Sequence, residues 1–460
     1  MSNLPTTFRH VRHIHMVGIG GAGMCGIAEV LASMGFQVSG SDLSQSDVTD
    51  RLVSLGIKVS FEHVAEQADG ADVVVFSSAV RPENVEVRYA REHRIPTIPR
   101  SEMLSELMRL KRGIAVAGTH GKTTTTSMIG SIFAHAGLAP TVIVGGKVRA
   151  LGTGAATGTG EFLVAEADEF DRSFLKLSPT LAVITTIEAE HLDTYFDLES
   201  IKDAFVEFAN KVPFYGLVVV CEDDLHTREI MLRIKRPMLT YGRSASSAYR
   251  ICDETFSGLS SSFVIQTPEL ERFKFELQVP GQHNVSNATA GIVIALETGI
   301  PAKVIRDALH SFAGVHRRFE RKGEVNGALI FDDYAHHPTE VRVTLEAAKQ
   351  CWPDKRLVAV FQPHLYTRTR DFALEFADSL GIADKVLLLE IYPSRESPLP
   401  NVTSNLIAEP LRVNGTTVVM VSSDRSIPDQ IRNEITDGDI VIAMGAGSIS
   451  RYIDDLIRQA

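Results

Sequence analysis

The chain has 460 residues, of which 44% are hydrophobic and 22% charged, and its formal net charge is −11. That composition excludes a disordered or fibrous chain and suits a soluble globular protein of about three domains. The acidic balance, with no long basic run to offset it, argues against a nucleic-acid partner.

No apolar run approaches the ~18 residues of a membrane helix, and the N-terminal residues do not read as a signal peptide. The four cysteines, Cys25, Cys221, Cys252 and Cys351, lie far apart. They form neither a cysteine zinc motif nor a disulfide framework, so a reducing cytoplasm and no membrane partner are expected.

The fold class expected is α/β with three domains: Rossmann-like, then a nucleotide-loop ATPase with a mostly parallel sheet, then a second Rossmann-like unit. The first segment, residues 1–109, opens with a strand over His13–Val17. Gly18, Gly20, Gly21 and Gly23 follow as G-x-G-x-x-G, with a helix striped by Ile27, Val30 and Leu31. A second strand is expected at Phe36–Val38, with Asp42 just beyond it, and more strands at Val73–Phe76 and around Ile98. A glycine turn with an acid about 20 residues on is the dinucleotide fingerprint. It says that a diphosphate can approach the turn, and leaves the ligand open.

The second segment, residues 110–315, begins with the apolar strand Gly113–Ala117. Gly118, Thr119, His120, Gly121, Lys122, Thr123 and Thr124 come next and lead into a helix closed by Gly137. Strand, glycine loop and helix N-terminus form a polyphosphate site: backbone N–H groups converge, and the helix dipole adds roughly half a positive charge. Lys122 can neutralise phosphate oxygens, and the Thr123 hydroxyl can hold Mg²⁺. Val116 stands where the literal G-x-x-x-x-G-K-[ST] pattern has its first glycine, so the motif is the shorter G-x-x-G-K-T. A tight turn with an exposed lysine is the plain alternative. The strand, loop and helix together decide for a nucleoside triphosphate.

Strands over Phe162–Ala165 and Leu181–Ile184 carry Glu166-Ala167-Asp168-Glu169 and Thr185-Thr186-Ile187-Glu188, then His191, at their carboxyl ends. Those are the ends where parallel sheets bind ligands. A strand is expected at Gly216–Cys221, short alternating strands between Tyr249 and Val279, and a helix from Gly281-Gln282-His283-Asn284 to near Gly299. The third segment, residues 316–460, again alternates. Strands are expected at Ala328–Phe331, Leu357–Phe361, Val386–Leu389, Thr417–Val421 and Ile440–Ala443, with helices near Glu340–Gln350 and Asp371–Leu380. Met444-Gly445-Ala446-Gly447-Ser448 reads as a plain strand-to-helix turn that could hold a phosphate.

The stretches GIGGAGMCGIAEVL, AGTHGKTTTT, VAEADEFD, TTIEAEHLDTY, GQHNVSNATA, HRRFE, DDYAHHPTEV and FQPHLYTRTRDF span nearly the whole chain. On them the sequence resembles the Mur ligases, most closely the branch that attaches L-alanine to UDP-N-acetylmuramate (UDP-MurNAc). The resemblance implies domains for the UDP-sugar (1–109), ATP (110–315) and the amino acid (316–460). It implies a cytoplasmic step of peptidoglycan synthesis, in which ATP activates the lactoyl carboxylate as an acyl phosphate and leaves as ADP and phosphate.

Residue by residue, Gly18, Gly20, Gly21, Gly23 and Asp42 would meet the UDP-substrate. Gly118 to Thr124, with Lys122 and Thr123, match the ATP phosphate loop; Glu166 matches an acid between two Mg²⁺ ions, and His191 a ligand of the second. His283 and Asn287 match adenine contacts. Arg318, Asp333 and Tyr334 match nucleotide contacts, and His336 and Arg368 match positions near the amino acid. Where many members carry an arginine after FQPH, this chain has Leu365. Mg²⁺ prefers oxygen, so a capped or core role for His191 stays open. His336 reads as the base that deprotonates the amine, or as a loop residue that only orients substrate. Dividing contacts between domains implies closure on substrate binding.

Lys122, Glu166, His191, Arg318 and His336 are thus the expected catalytic set. Rival readings are a recycling ligase that attaches a ready-made peptide to the same sugar nucleotide, a dinucleotide-dependent oxidoreductase, and a non-catalytic nucleotide switch. A monomer and a homodimer are both compatible with the sequence.

Overall fold

The computed structural model describes residues 10–77, 79–81, 83–148, 153–190, 194–394, 396–422 and 426–459. It is a three-domain α/β protein, and among the described residues its strands form three sheets.

The first sheet contains β1 (His13–Val17), β2 (Gln37–Ser41), β3 (Lys58–Ser60), β4 (Val73–Phe76) and β5 (Thr97–Pro99). All pairings are parallel, in the order β3-β2-β1-β4-β5. The order reverses between β1 and β4, which makes the crevice at their carboxyl ends the topological switch point. β2 runs on past the apolar residues that announced it. Ser39 and Ser41 extend it because their hydroxyls are satisfied inside, by His15 and by Glu86. Apolar patterning alone gives no sign of that.

The second sheet comprises β6 (Arg112–Ala117), β7 (Thr141–Val148), β8 (Thr153–Ala156), β9 (Phe162–Glu166), β10 (Leu181–Ile184), β11 (Leu217–Cys221), β12 (Met238–Gly242), β13 (Tyr249–Ser257), β14 (Ser260–Gln266) and β15 (Arg272–Leu277). Its order is β15-β14-β13-β12-β11-β10-β6-β9-β7-β8. β6 sits between β10 and β9, parallel to both. Covered on both faces, its Ile114, Ala115, Val116 and Ala117 are fully buried, as a continuous apolar run in a parallel sheet requires.

The third sheet holds β16 (Glu320–Val325), β17 (Ala328–Asp333), β18 (Leu357–Phe361), β19 (Lys385–Leu389), β20 (Thr417–Val421) and β21 (Ile440–Met444), in the order β16-β17-β21-β18-β19-β20. Only β16 is antiparallel, and a register irregularity falls between Arg321 and Gly323. Its sequence, ERKGEV, has the polarity of a loop. An edge strand needs one neighbour only and tolerates such charge.

By contacts the chain divides into two compact units. One is Met1–Cys252 with Val264–Lys274 and Ser286–His310; the other is Asp253–Phe263, Phe275–Val285 and Ser311–Ala460. Asp253–Phe263, Phe275–Val285 and Ser311–Val315 of the middle segment therefore group with the third. Among the described residues, no helix is long and apolar enough to cross a membrane.

Candidate active site

The loop after β6 is shaped by two glycines. Gly118 has φ 135° and Gly121 φ 81°, a region open to glycine and costly for other residues. Space forbids a side chain as well. A Cβ on Gly118 would lie 1.9 Å from Thr185 Oγ1, and one on Gly121 2.4 Å from Asn287 Oδ1. The loop is stapled to the segment after β10. Thr119 N donates to Thr186 O (2.8 Å), His120 N to Thr186 Oγ1 (3.1 Å) and Glu188 N to Thr119 Oγ1 (2.9 Å). No side chain caps Gly121, where the helix Lys122–His135 begins. The first N–H groups of a helix have no partner within it and, with the dipole, attract an anion.

Lys122 points back into this loop. Its Nζ donates to Gly118 O (2.7 Å), Thr119 O (3.1 Å) and both carboxylate oxygens of Glu169 (2.9 Å each). Burial opposes the charge on Lys122, but the nearby Glu169 and Asp168 carboxylates outweigh it and hold the ammonium above its ordinary value. Glu169 is 2% exposed, and its carbonyl accepts from the buried Tyr195 hydroxyl at 2.8 Å. It is the partner that reading the sequence did not assign. Glu166 ends β9 opposite Val116 of β6, so its side chain emerges at the carboxyl edge beside the loop.

Thr123 offers a hydroxyl and Glu166 a carboxylate; both are hard oxygen donors of the kind Mg²⁺ accepts. His191 lies outside the described residues. His120 Nε2 is 3.4 Å from Glu188 Oε2. Asn287 accepts from Thr125 Oγ1 at 3.2 Å, which ties it to the helix Lys122–His135.

A second cluster lies within the other unit. The Arg318 guanidinium lies 5.5 Å from the Tyr334 ring centre, with Arg317 at 4.9 Å. Arg318 also approaches Glu340 at 3.4 Å. Burial, then the Arg318 charge, push His283 down to about 4, so it is neutral near pH 7. Asp333 is buried, and its two oxygens accept from Phe319 N (2.7 Å) and Ala335 N (2.8 Å). Its carboxylate thus braces the turn that presents Tyr334. Burial lifts its pKa to about 6 against the opposing Arg318 charge.

His336 Nδ1 lies 2.9 Å from Tyr334 O and 3.2 Å from Glu340 Oε2. A carbonyl can only accept, so Nδ1 bears hydrogen and Nε2 is the basic nitrogen. The His336 ring sits 6.0 Å from that of His364, which stacks on Tyr392 at 5.8 Å. Burial, then the charges of His336 and Arg368, lower His364 to about 4. His364, quoted in the sequence only as part of a motif, therefore shares a neighbourhood with both expected amino-acid residues. Leu365 holds φ 73° at the start of the helix Tyr366–Asp371, the short helix that carries Arg368.

In the first domain, the Ser41 carbonyl accepts from Gly18 N (2.8 Å) and Ile19 N (3.0 Å). Asp42 is taken up locally, with Oδ2 accepting from Gly20 N (2.9 Å) and Oδ1 from Leu43 N (2.8 Å) and Ser44 N (3.3 Å). Gly21 caps the helix Ala22–Ser33. A Cβ on Gly23 would lie 2.7 Å from an Arg100 guanidinium nitrogen. Arg100 thus brings a cation to this helix start, and no glycine motif signals it.

Three family models match in order: "Mur ligase family, catalytic domain" over residues 13–112, "Mur ligase middle domain" over 116–295, and "Mur ligase, glutamate ligase domain" over 317–447. The UDP-N-acetylmuramate–L-alanine ligase of Geobacter sulfurreducens is 50% identical over 441 residues, covering 95% of this chain and 96% of that protein. The ligase of the same name from Trichlorobacter lovleyi is 48% identical over 454 residues, 98% of this chain and 100% of that protein. Among solved structures, the Thermotoga maritima UDP-N-acetylmuramate–alanine ligase matches with TM-score 0.82 and 30% identity, over 98% of this chain and 99% of that one. A murein peptide ligase from Psychrobacter arcticus matches with TM-score 0.71 and 25% identity, over 97% and 98%. This chain belongs to the Mur ligase family.

Proposed function

We propose that this protein joins L-alanine to the lactoyl carboxylate of UDP-MurNAc with ATP, releasing ADP and phosphate, as a cytoplasmic step of peptidoglycan synthesis. The observation that carries this reading is the glycine-shaped loop with Lys122 turned back into it, in a chain about half identical to relatives named for that activity over nearly its whole length. The murein peptide ligase stands further off than the Thermotoga maritima ligase on both identity and TM-score.

A carboxylate is a poor acceptor for an amine because it has no good leaving group. Moving the ATP γ-phosphoryl group onto it gives an acyl phosphate, whose phosphate can depart. Such a transfer is mostly positioning and charge neutralisation. The N–H groups at the start of the helix Lys122–His135 and the Lys122 ammonium receive the phosphates. Arg318, set on Tyr334 beside the neutral His283, adds a second fixed cation for the nucleotide. Thr123 and Glu166 would hold Mg²⁺, which when bound offsets phosphate charge. In a site closed to water such pre-placed charges count for far more than in solution.

The amine must lose a proton before it attacks. His336, with Nδ1–H fixed on Tyr334 O, presents Nε2 as the acceptor for it, and Arg368 pairs with the alanine carboxylate. Three Mur ligase models matched in order over residues 13–447 count against a dinucleotide oxidoreductase. The test is phosphate release that depends on UDP-MurNAc and an amino acid together, run over alanine, serine and glycine. Release that needs no UDP-MurNAc, or a murein peptide preferred over free alanine, would replace this assignment.

A further inference from the structure

The first domain contains a buried polar chain that the reaction above leaves unused. Glu86, from the helix Val85–Glu92 after β4, is fully buried. Its Oε2 accepts from Ser41 Oγ at 2.7 Å and meets His15 Nε2 at 2.8 Å. His15 Nδ1 continues to Ser39 Oγ (2.8 Å), Ser39 Oγ to His13 Nε2 (2.8 Å), and His13 Nδ1 to Gly70 O (3.1 Å). Burial opposes ionisation of Glu86, yet hydrogen bonds from His15, Ser41 and His63 hold its carboxyl below the usual range.

Each of these links is within hydrogen-bond distance, so His13, Ser39 and His15 are committed to one another and to Glu86.

His63 stands outside that chain. Its Nδ1 faces Glu86 Oε1 at 2.8 Å and Ser41 Oγ at 3.0 Å. Ser41 already gives its hydrogen to Glu86, so the hydrogen on this contact belongs to His63 Nδ1. The neutral ring then has its lone pair on Nε2, which meets no partner among the described residues, and the side chain is 19% exposed. The two oxygens thus fix His63 as an acceptor in one tautomer. It also sits at the switch point: Ser41, which its ring touches, carries the carbonyl that receives Gly18 N and Ile19 N of the glycine loop. In Rossmann sites an acid at the end of the second strand takes the ribose hydroxyls. Here that acid, Asp42, already accepts three backbone N–H groups.

We propose that His63 takes over that task, its Nε2 accepting from a ribose hydroxyl of the uridine nucleotide, and that Glu86 is its positioning residue. The proposal rests on the reading of the first domain as the UDP-sugar site. Titration calorimetry of the full-length protein with UDP and with 2′,3′-dideoxy-UDP tests it. The wild type should prefer UDP by roughly five- to ten-fold, the worth of one hydrogen bond, and His63→Ala should bring the ratio near one. Glu86→Gln should reduce the ratio too, and adding it to His63→Ala should change the ratio no further, an outcome that a merely structural role for Glu86 would not give. A ratio untouched by His63→Ala overturns the proposal even if Glu86→Gln misfolds. A wild type that binds no UDP overturns the domain reading, and this proposal with it.

Discussion

Two strand-to-helix turns in this chain look alike as sequence: Ala117-Gly118-Thr119-His120-Gly121-Lys122, and Met444-Gly445-Ala446-Gly447-Ser448. Each follows a buried strand and has a glycine at positive φ, 135° at Gly118 and 148° at Gly445. They differ in what lies across from the helix start. Gln362, just past β18, reaches the second turn; its Oε1 accepts from Ile449 N at 3.0 Å and its amide donates to Ser448 Oγ at 3.1 Å. A Cβ on Gly447 would lie 2.5 Å from Tyr392 Cγ and 2.6 Å from Gln362 Oε1, so protein fills that space. Across from the first turn stands Asn287, whose Oδ1 accepts from the Thr125 hydroxyl at 3.2 Å; the N-cap residues Gly121 and Ser448 alike lack a side-chain cap of their own. On the proposed reading the first helix start takes a ligand and the second serves the fold, and the glycines do not tell them apart.

The strongest way to break this contrast is at Lys122. Lys122→Met should lower the rate of ligation on the order of 100-fold or more, the usual loss for a charge-stabilising group. It should also lower the melting temperature of the nucleotide-free protein, because Glu169 would stay buried without its partner, a situation that typically costs about 3–5 kcal/mol. Adding Glu169→Gln should restore much of the stability and none of the activity. A double variant that regains phosphate release would show that the lysine serves the fold, as Gln362 does.

How much of this was readable in advance depends on the range of the interaction. β6, its glycines and the helix Lys122–His135 are contiguous, and an apolar run, a turn and a helix stop suffice to find them. Lys122 and Glu169 are both conspicuous residues, but their pairing needs β6 and β9 to be neighbours, which local pattern does not encode. The same holds for Gln362 at the second turn, for Arg100 beside Gly23, and for Glu86 beneath Ser41. β16 was hidden for another reason: its residues are as polar as a loop, and only an unoccupied edge of the third sheet makes them a strand.

The contrast between ligand groups and fold groups sharpens within the third domain. Arg368 is expected to serve the ligand. Arg368→Lys keeps the charge and loses the planar fork, so the KM for alanine should rise several-fold while that for ATP changes little. Steady-state kinetics with each substrate varied in turn would show it. A shift in the ATP KM alone would move Arg368 to the nucleotide.

His283 gives a smaller effect, with a defined sign. Its pKa in the folded protein is about 4, below the ~6.5 of an unfolded chain. The unfolded state therefore binds the proton first, so the stability this group contributes is full above pH 6.5 and is lost as pH falls toward 4. Trp352, the one tryptophan, packs on Phe331 with ring centres 5.2 Å apart and reports unfolding of the compact unit that also contains His283. His283→Asn should flatten the loss of stability between pH 6.5 and 4. An unchanged slope would mean that the ring is already solvated.

The smallest effect bears most directly on the two turns. If Gln362 only completes the start of the helix Ile449–Arg458, Gln362→Ala removes one backbone acceptor at that helix start. A lost cap of this kind typically costs about 1 kcal/mol, visible as an earlier denaturant midpoint in Trp352 fluorescence. The KM for ATP should stay where it was, because on this account the turn at Gly445 holds no phosphate. The substitution also uncovers the Ile449 N–H, which makes a second outcome informative. Inorganic phosphate that stabilised the variant and not the wild type would show that the two turns share one latent chemistry, and that a single glutamine across from the helix separates them. If the variant lost affinity for ATP instead, Gln362 would belong to the nucleotide site, and the second turn would have to be read as a ligand turn like the first.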